Sequence, residues 1–494
     1  MTSPLTPPFK ETPAQELFRK RYMAAMAKHF GCMDFAGIMD LEEDIPVALQ
    51  NLYIPLRFTE EPISPNEADI SQVMGLSIAE LLEKSPFLMI QGGPGYGKST
   101  LTRFLCWALS TPDLSGLANR VGGRIVIPLI LREYTRQFGE FENPLDWLQA
   151  YCRKYERIFN WHSEGWKLSP EALLHYCHQG WAMVIVDGMD EMVNLEHREK
   201  LRDWIQEGLF FKGGEELGHL ICTSRPAGYH LCSLDKDAII LQKREMLPQT
   251  KTGPNNVINL TATPAWRLDN FYVRPFTDTD IQTYADKWYK LREPDDDKAK
   301  EDADKFVNDL AKHNRISELR RVPVLLTLMA QVHRTIGELP RTRVALYFEI
   351  VRIYLSILDK KRELENLSEL HEKAERGQPL DVWLFHDRQR VLADVAFRMM
   401  EMKADVKNKS DKETPDLLIS MQDFTRLVKQ SIGDIPDCSI RPEQTQEFVD
   451  YLLIRECLVT KPTEDTVQFS HYSFMEYLAA VHLKRSIRRI EKRI

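Results

Sequence analysis

Gly92-Gly93-Pro94-Gly95-Tyr96-Gly97-Lys98-Ser99-Thr100 follows the apolar run Phe87-Leu88-Met89-Ile90 and precedes the helix-patterned Leu101-Thr102-Arg103-Phe104-Leu105-Cys106-Trp107-Ala108-Leu109. The stretch fits G-x-x-x-x-G-K-[ST], and each fixed position has a task. Glycines let backbone N–H groups curl around phosphates, Lys98 reaches the β/γ oxygens, and the Ser99 hydroxyl ligates Mg²⁺ at a helix N-terminus that already favours anions. A plain Gly/Pro turn would need neither the Lys-Ser pair nor a strand before and a helix after. The nine residues therefore predict a site for ATP or ADP with Mg²⁺.

The chain has 494 residues, room for about three domains each with its own core. Hydrophobic residues make up 43% and charged ones 28%, ordinary values for a soluble protein. The longest uncharged apolar runs, such as Val322 to Val332, fall short of a membrane span. Met1-Thr2-Ser3-Pro4-Leu5-Thr6-Pro7-Pro8 has neither a basic region nor an apolar core of the secretory kind, so the expected compartment is the cytoplasm. Eight cysteines without C-x-x-C spacing read as reduced thiols, and His175, Cys177 and His178 have no second ligand pair that would make them a zinc site. A net charge of −8 gives no indication of nucleic-acid binding.

From Phe87 to about Arg225 apolar strands alternate with helical patterns. Arg124 to Arg132, Ala182 to Val186 and Leu220 to Thr223 read as further buried strands. Continuous apolar runs suit parallel strands covered on both faces, so the expected fold is a doubly wound α/β sheet. After Pro275 the pattern turns helical, through Ile281, Tyr284 and Trp288, then Leu319, Val322, Leu325, Leu326 and Met329. The charged stretch Arg292 to Lys305 is expected as solvated loop and helix face, and Lys403 to Pro415 as a loop. Leu483, Ile487, Ile490 and Ile494 share one face of a C-terminal helix, with basic residues on the other.

The strand before Asp187-Gly188-Met189-Asp190-Glu191 ends where a second Mg²⁺ contact must originate, which makes Asp187 the candidate. Asp190 and Glu191 are candidates to orient or polarise the attacking water, and both are also placed to cap the helix that follows. The next strand ends in Thr223-Ser224-Arg225-Pro226, where Arg225 is either a plain surface charge or a cation that senses the γ-phosphate.

Together the phosphate loop, Ile127-Pro128-Leu129-Ile130-Leu131-Arg132, Asp-Gly-Met-Asp-Glu and Thr-Ser-Arg-Pro resemble a NACHT domain, of the STAND class of signalling ATPases. Val273-Arg274-Pro275-Phe276 onward is similar to the start of that family's helical domain. Arg321-Val322-Pro323-Val324-Leu325-Leu326 resembles the element whose proline packs on adenine, though Arg321-Val322 departs from the commoner residues there. Val467-Gln468-Phe469-Ser470-His471-Tyr472-Ser473-Phe474 resembles the end of the winged-helix domain, whose histidine touches the β-phosphate of ADP. The resemblance runs from about residue 50 to 483. It implies a nucleotide-binding domain (85–275), a helical domain (276–357) and a winged-helix domain (358–483); the residues themselves read as a short N-terminal region (1–84), helix-patterned over Glu16 to Met26 and extended over Leu52 to Phe58, and as the start of a further helix (484–494). The resemblance also implies a slowly hydrolysing switch, closed with ADP and open with ATP, that self-associates on activation in innate immune or antiphage defence. The trigger is open, with a phage or pathogen protein as the implied class. Competing with this are a constitutive AAA+-like remodeller and a nucleotide-binding scaffold without hydrolysis.

Overall fold

The computed structural model describes residues 9–32, 48–63, 73–111, 123–135, 137–161, 167–192, 194–212, 218–226, 268–312, 319–365, 385–409, 419–454, 458–463, 466–469 and 472–491, and singly Pro7, Ile70, Leu117, Tyr229, Ser233 and Leu234. These fall into two compact units, divided between Thr277 and Asp278.

The first unit is built on seven strands: β1 (Arg57–Thr59), β2 (Leu76–Ser77), β3 (Phe87–Gln91), β4 (Ile125–Ile130), β5 (Ala182–Asp187), β6 (His219–Ser224) and β7 (Leu268–Val273). Their order across the sheet is β2-β1-β7-β3-β6-β5-β4. The five strands from β7 to β4 are parallel, and β1 and β2 join antiparallel at the β7 edge. Every residue of β3, β5 and β6 is buried, as strands covered on both faces require. The three strands expected after the phosphate loop are present. The sheet is mixed rather than wholly parallel, because β1 and β2 supply its antiparallel edge.

Helices fill the crossovers. After α1 (Pro13–Phe30) and α2 (Ile78–Lys84), α3 (Lys98–Ser110) links β3 to β4. Then α4 (Pro144–Ile158) and α5 (Pro170–His178) link β4 to β5, and α6 (Leu195–Gln206) precedes β6. Asn143, Ser169 and Asn194 accept from backbone N–H groups at the starts of α4, α5 and α6, and Pro144 and Pro170 fill first-turn positions where no donor is needed. Helix α1 begins with a capping box between Thr12 and Gln15 and buries Tyr22, Met26 and Phe30. Its Tyr22 hydroxyl donates to the Val126 carbonyl on β4 at 2.6 Å, and Arg103 of α3 donates to the carbonyls of His29 and Cys32.

The second unit is mostly helical. Its first part comprises α7 (Asp278–Lys290), α8 (Asp296–Lys312), α9 (Pro323–Ile336) and α10 (Arg343–Glu365). Tyr284 donates to Thr327 at 2.7 Å, and Tyr289 Oη lies 2.5 Å from His333 Nδ1, so two tyrosines of α7 tie it to α9. The charged stretch is indeed a helix face: Ala299, Ala303, Phe306 and Leu310 of α8 point inward while Lys300 bridges Asp286 and Asp304 outside. The second part is α11 (Phe385–Lys409), β8 (Ile419–Ser420), α12 (Met421–Asp434), α13 (Thr445–Ile454), β9 (Val459–Thr463), β10 (Thr466–Phe469) and α14 (Tyr472–Glu491). The strands form an antiparallel sheet in the order β8-β10-β9. Helix α11 runs on to Lys409, through the beginning of the stretch expected as a loop from Lys403. Lys403, Ala404 and Lys407 are good helix formers and continue the helix without any apolar periodicity to betray it. Among the described residues no helix is long and apolar enough to cross a membrane, and no group of His, Cys, Asp and Glu is arranged to hold a metal.

Candidate nucleotide site

The phosphate loop leaves β3 at Gln91 and enters α3 at Lys98. Gly97 adopts φ +88°, a backbone that side-chain-bearing residues rarely take, and this turn aims the first N–H groups of α3 back into the loop. The loop's base is tied to the neighbouring strand by Gly92 N–H donating to the Ser224 carbonyl at 3.2 Å. A Cβ at Gly93 would stand 2.9 Å from the Tyr96 ring, so the tyrosine folds closely over this glycine. Lys98 Nζ donates to the carbonyls of Gly92 (2.6 Å) and Gly93 (3.2 Å), and Ser99 and Thr100 follow it in the first turn of α3, with Ser99 exposed. Burial draws the ammonium below the ordinary lysine range, and the carboxylates of Asp190, Asp187 and Glu191 pull it back.

Asp187 closes β5 and is buried. Its Oδ1 accepts the Thr223 hydroxyl at 2.5 Å, and the same hydroxyl oxygen accepts Gly188 N–H at 2.9 Å. Thr223, at the end of the adjacent β6, thus holds both the carboxylate and the backbone turn that follows it, leaving Asp187 Oδ2 for a cation. Gly188 is left-handed at φ +84°, and a Cβ there would lie 2.9 Å from the Glu191 carboxylate. The left-handed backbone is what calls for glycine here, and the Glu191 side chain lies across it.

The two acids after Gly188 part company. Asp190 Oδ1 accepts Arg225 N–H at 2.9 Å and its Oδ2 lies 3.1 Å from Arg225 Nε. Asp190 therefore serves as the clamp that fixes Arg225 at the tip of β6, with both oxygens committed. The Glu191 carboxyl is pushed up to about 7, chiefly by burial, with Asp187 and Asp190 raising it further against the opposing pull of Arg132 and Arg225. Part of the residue is exposed, yet protein crowds the carboxyl closely enough to penalise its charge. A carboxyl that ionises near neutrality is suited to accept a proton from water.

A further support of this turn goes unseen in the sequence. Arg198, on α6 and 2% exposed, donates through Nη2 to the Asp190 carbonyl at 2.8 Å and through Nε to the Met192 carbonyl. It holds the short helical turn Met189–Glu191 from behind. An arginine in a helix of otherwise ordinary amphipathic pattern gives no sign of such a role.

Lys98, Asp187, Asp190, Glu191 and Arg225 are thus brought to one end of the sheet. Pro323 opens α9 in the second unit, where its missing donor suits the first helical position. His471 lies outside the described residues, just ahead of α14.

Residues 77–225 match the model of the family described as Nephrocystin 3, N-terminal. The matched span holds the phosphate loop, Asp187 and Arg225, and it fits the resemblance to a NACHT-type NTPase. None of the curated proteins matches the chain. Among solved structures, the Walker-type ATPase PABY2304 of Pyrococcus abyssi is 11% identical, with 83% of this chain and 95% of that one covered and a TM-score of 0.29. The ORC2 protein of Aeropyrum pernix, in its ADPNP–ADP complexes, is 12% identical over 92% of this chain and 100% of its own, TM-score 0.28. Cdc6p from Pyrobaculum aerophilum is 12% identical over 85% and 95%, TM-score 0.28.

Proposed function

We propose that the chain binds ATP and ADP at the phosphate loop and hydrolyses ATP slowly, as a signalling switch of the NACHT kind. The observation that carries the reading is the convergence of a lysine, a strand-end aspartate, a near-neutral glutamic acid and a clamped arginine around one loop. Lys98 and the N–H groups of the loop bind the β- and γ-phosphates. Ser99 and Asp187 are the residues that would hold Mg²⁺, and the Asp187 oxygen not engaged by Thr223 fits that role. When bound, the ion screens the charge that develops on the phosphates. Glu191 accepts the proton of the attacking water, and Arg225, held by Asp190, stabilises charge on the γ-phosphoryl oxygens.

Slow turnover suits a nucleotide that sets a state. ADP holds the chain closed through His471 and Pro323, ATP favours an open form, and the open form self-associates, in defence signalling set off by a phage or pathogen protein. A nucleotide shifts such a balance only through its different affinity for the two states. His471→Ala should therefore raise self-association in the presence of ADP, measured by size-exclusion chromatography with light scattering. An unchanged elution profile together with unchanged ATP turnover sinks the switch.

A further inference from the structure

In the second unit a cavity of about 660 Å³ opens between α11, the end of α12 and α14. Its volume lies within the range of small-molecule sites. Three of its lining residues form a continuous hydrogen-bonded chain. Ser486 Oγ is 3.2 Å from His482 Nε2, and His482 Nδ1 is 3.1 Å from Asp394 Oδ1.

The geometry points to a second catalytic site of the nucleophile–base–carboxylate type, taking a small carboxylic ester that carries an anionic group. Each member is held in place. Asp394 is buried, and its Oδ2 accepts Arg398 Nε at 2.7 Å, which leaves Oδ1 facing the imidazole. The His482 ring stacks on Phe397 with centroids 4.7 Å apart and planes within 13°, which fixes the direction of both nitrogens. With Nδ1–H donated to Asp394, Nε2 is the basic nitrogen and faces the serine hydroxyl. Ser486 and His482 are four residues apart on α14, so the helix itself sets their spacing.

The arginines give the cavity its preference. Arg390 and Arg485 line it alongside the triad, Arg390 with Nη1 on Asp387 and Arg485 with Nη2 on Gln389. Guanidinium groups here suit an anionic substituent and the oxyanion of an acyl-transfer intermediate. In the reaction, His482 Nε2 takes the Ser486 hydroxyl proton as Oγ bonds to the ester carbonyl carbon. The carbon–oxygen bond to the alcohol breaks, and the alcohol leaves with that proton. Water then attacks the acyl-serine with His482 again as base, which releases the acid and restores the hydroxyl. This also gives a use to the basic C-terminal helix, which the nucleotide switch leaves unemployed.

A fluorophosphonate probe applied to the full chain tests the site, with peptide mass spectrometry to locate the adduct. An adduct on Ser486 is expected, along with hydrolysis of 4-acetoxybenzoate, a small ester that carries a carboxylate, that falls ~100-fold or more in Ser486→Ala and in His482→Ala. Nucleotide affinity in the first unit should be unaltered in both variants. Absence of an adduct on Ser486 overturns the proposal whether or not the variants fold, and so does ester hydrolysis that persists in a folded Ser486→Ala chain.

Discussion

The phosphate loop and the Asp187–Met192 turn lie at the same end of the sheet but are held in opposite ways. In the loop nearly every bond is local: Lys98 to Gly92 and Gly93, Tyr96 N–H to the Gly93 carbonyl, Leu101 N–H to the Gly97 carbonyl. The acidic turn depends on partners far along the chain. Thr223 and Arg225 reach back 36 and 35 residues, and Arg198 comes from a helix beyond the turn. A site of this kind joins a self-sufficient binding element to a catalytic element that exists only when the sheet and α6 are in place. Binding should therefore survive damage that abolishes turnover.

The largest effect should come from removing the loop's cation. Lys98→Ala deletes charge-assisted bonds to two phosphates, worth ~3–5 kcal/mol together, and nucleotide affinity by calorimetry should fall ~100-fold or more. Affinity within a few-fold of the parent chain would remove the loop from its assigned role.

Next comes Glu191→Gln, which should leave affinity nearly intact and lower single-turnover hydrolysis ~10²–10⁴-fold. The parent rate should rise as pH climbs through about 7, where the Glu191 carboxyl loses its proton, and this limb should vanish in the variant. The stability trend has the opposite sign. A carboxyl raised in the folded state favours folding while protonated, and its contribution fades between the ordinary glutamate range and about 7. Glu191→Gln should thus raise the melting temperature at pH 8 by ~2 °C or more. A parent profile that is flat from pH 6 to 8 would take the general-base role from Glu191.

Arg198→Met sharpens the contrast further. It strips the buried donor from two carbonyls, at a cost of ~1–3 kcal/mol, and should slow turnover by ~10-fold while affinity changes little. Equal losses in both would show that the loop depends on the turn after all. Smallest is Gly188→Ala, which forces a side chain into φ +84° and against Glu191. It should cost ~1–2 kcal/mol in chemical denaturation and move the midpoint of the pH–rate profile; an unmoved midpoint would mean that Glu191 does not lie across the glycine during turnover.

The same contrast explains what the sequence discloses. A loop whose geometry is local is written in consecutive residues, and so is a buried strand ended by an aspartate; Gly92 to Thr100 and Asp187 are legible for that reason. Asp190 and Glu191 are indistinguishable by sequence, since their difference lies in what surrounds them: an arginine backbone and side chain for one, a crowded glycine turn for the other. Arg198 and Thr223 are ordinary residues until the sheet brings them under the turn. Strand β7 was hidden by its mixture of buried and half-exposed positions, a pattern unlike that of the central strands. Strand β1 overlaps the stretch Leu52 to Phe58, which reads as extended in the sequence, whereas β2 is too short to show any period. The Ser486–His482–Asp394 chain is invisible for a related reason, because the aspartate comes from a different helix.

Strand β4 is the last of the parallel row, so among the described residues one side of it has no neighbouring strand. Open strand edges invite pairing with other chains, and proteins commonly blunt them. Here two devices act together: Pro128 offers no amide to a newcomer, and the Tyr22 hydroxyl occupies the Val126 carbonyl that would otherwise accept one. The N-terminal helix is thereby a guard against aggregation. Loss of its tyrosine would show in the solubility of the chain well before it showed in the chemistry of the nucleotide.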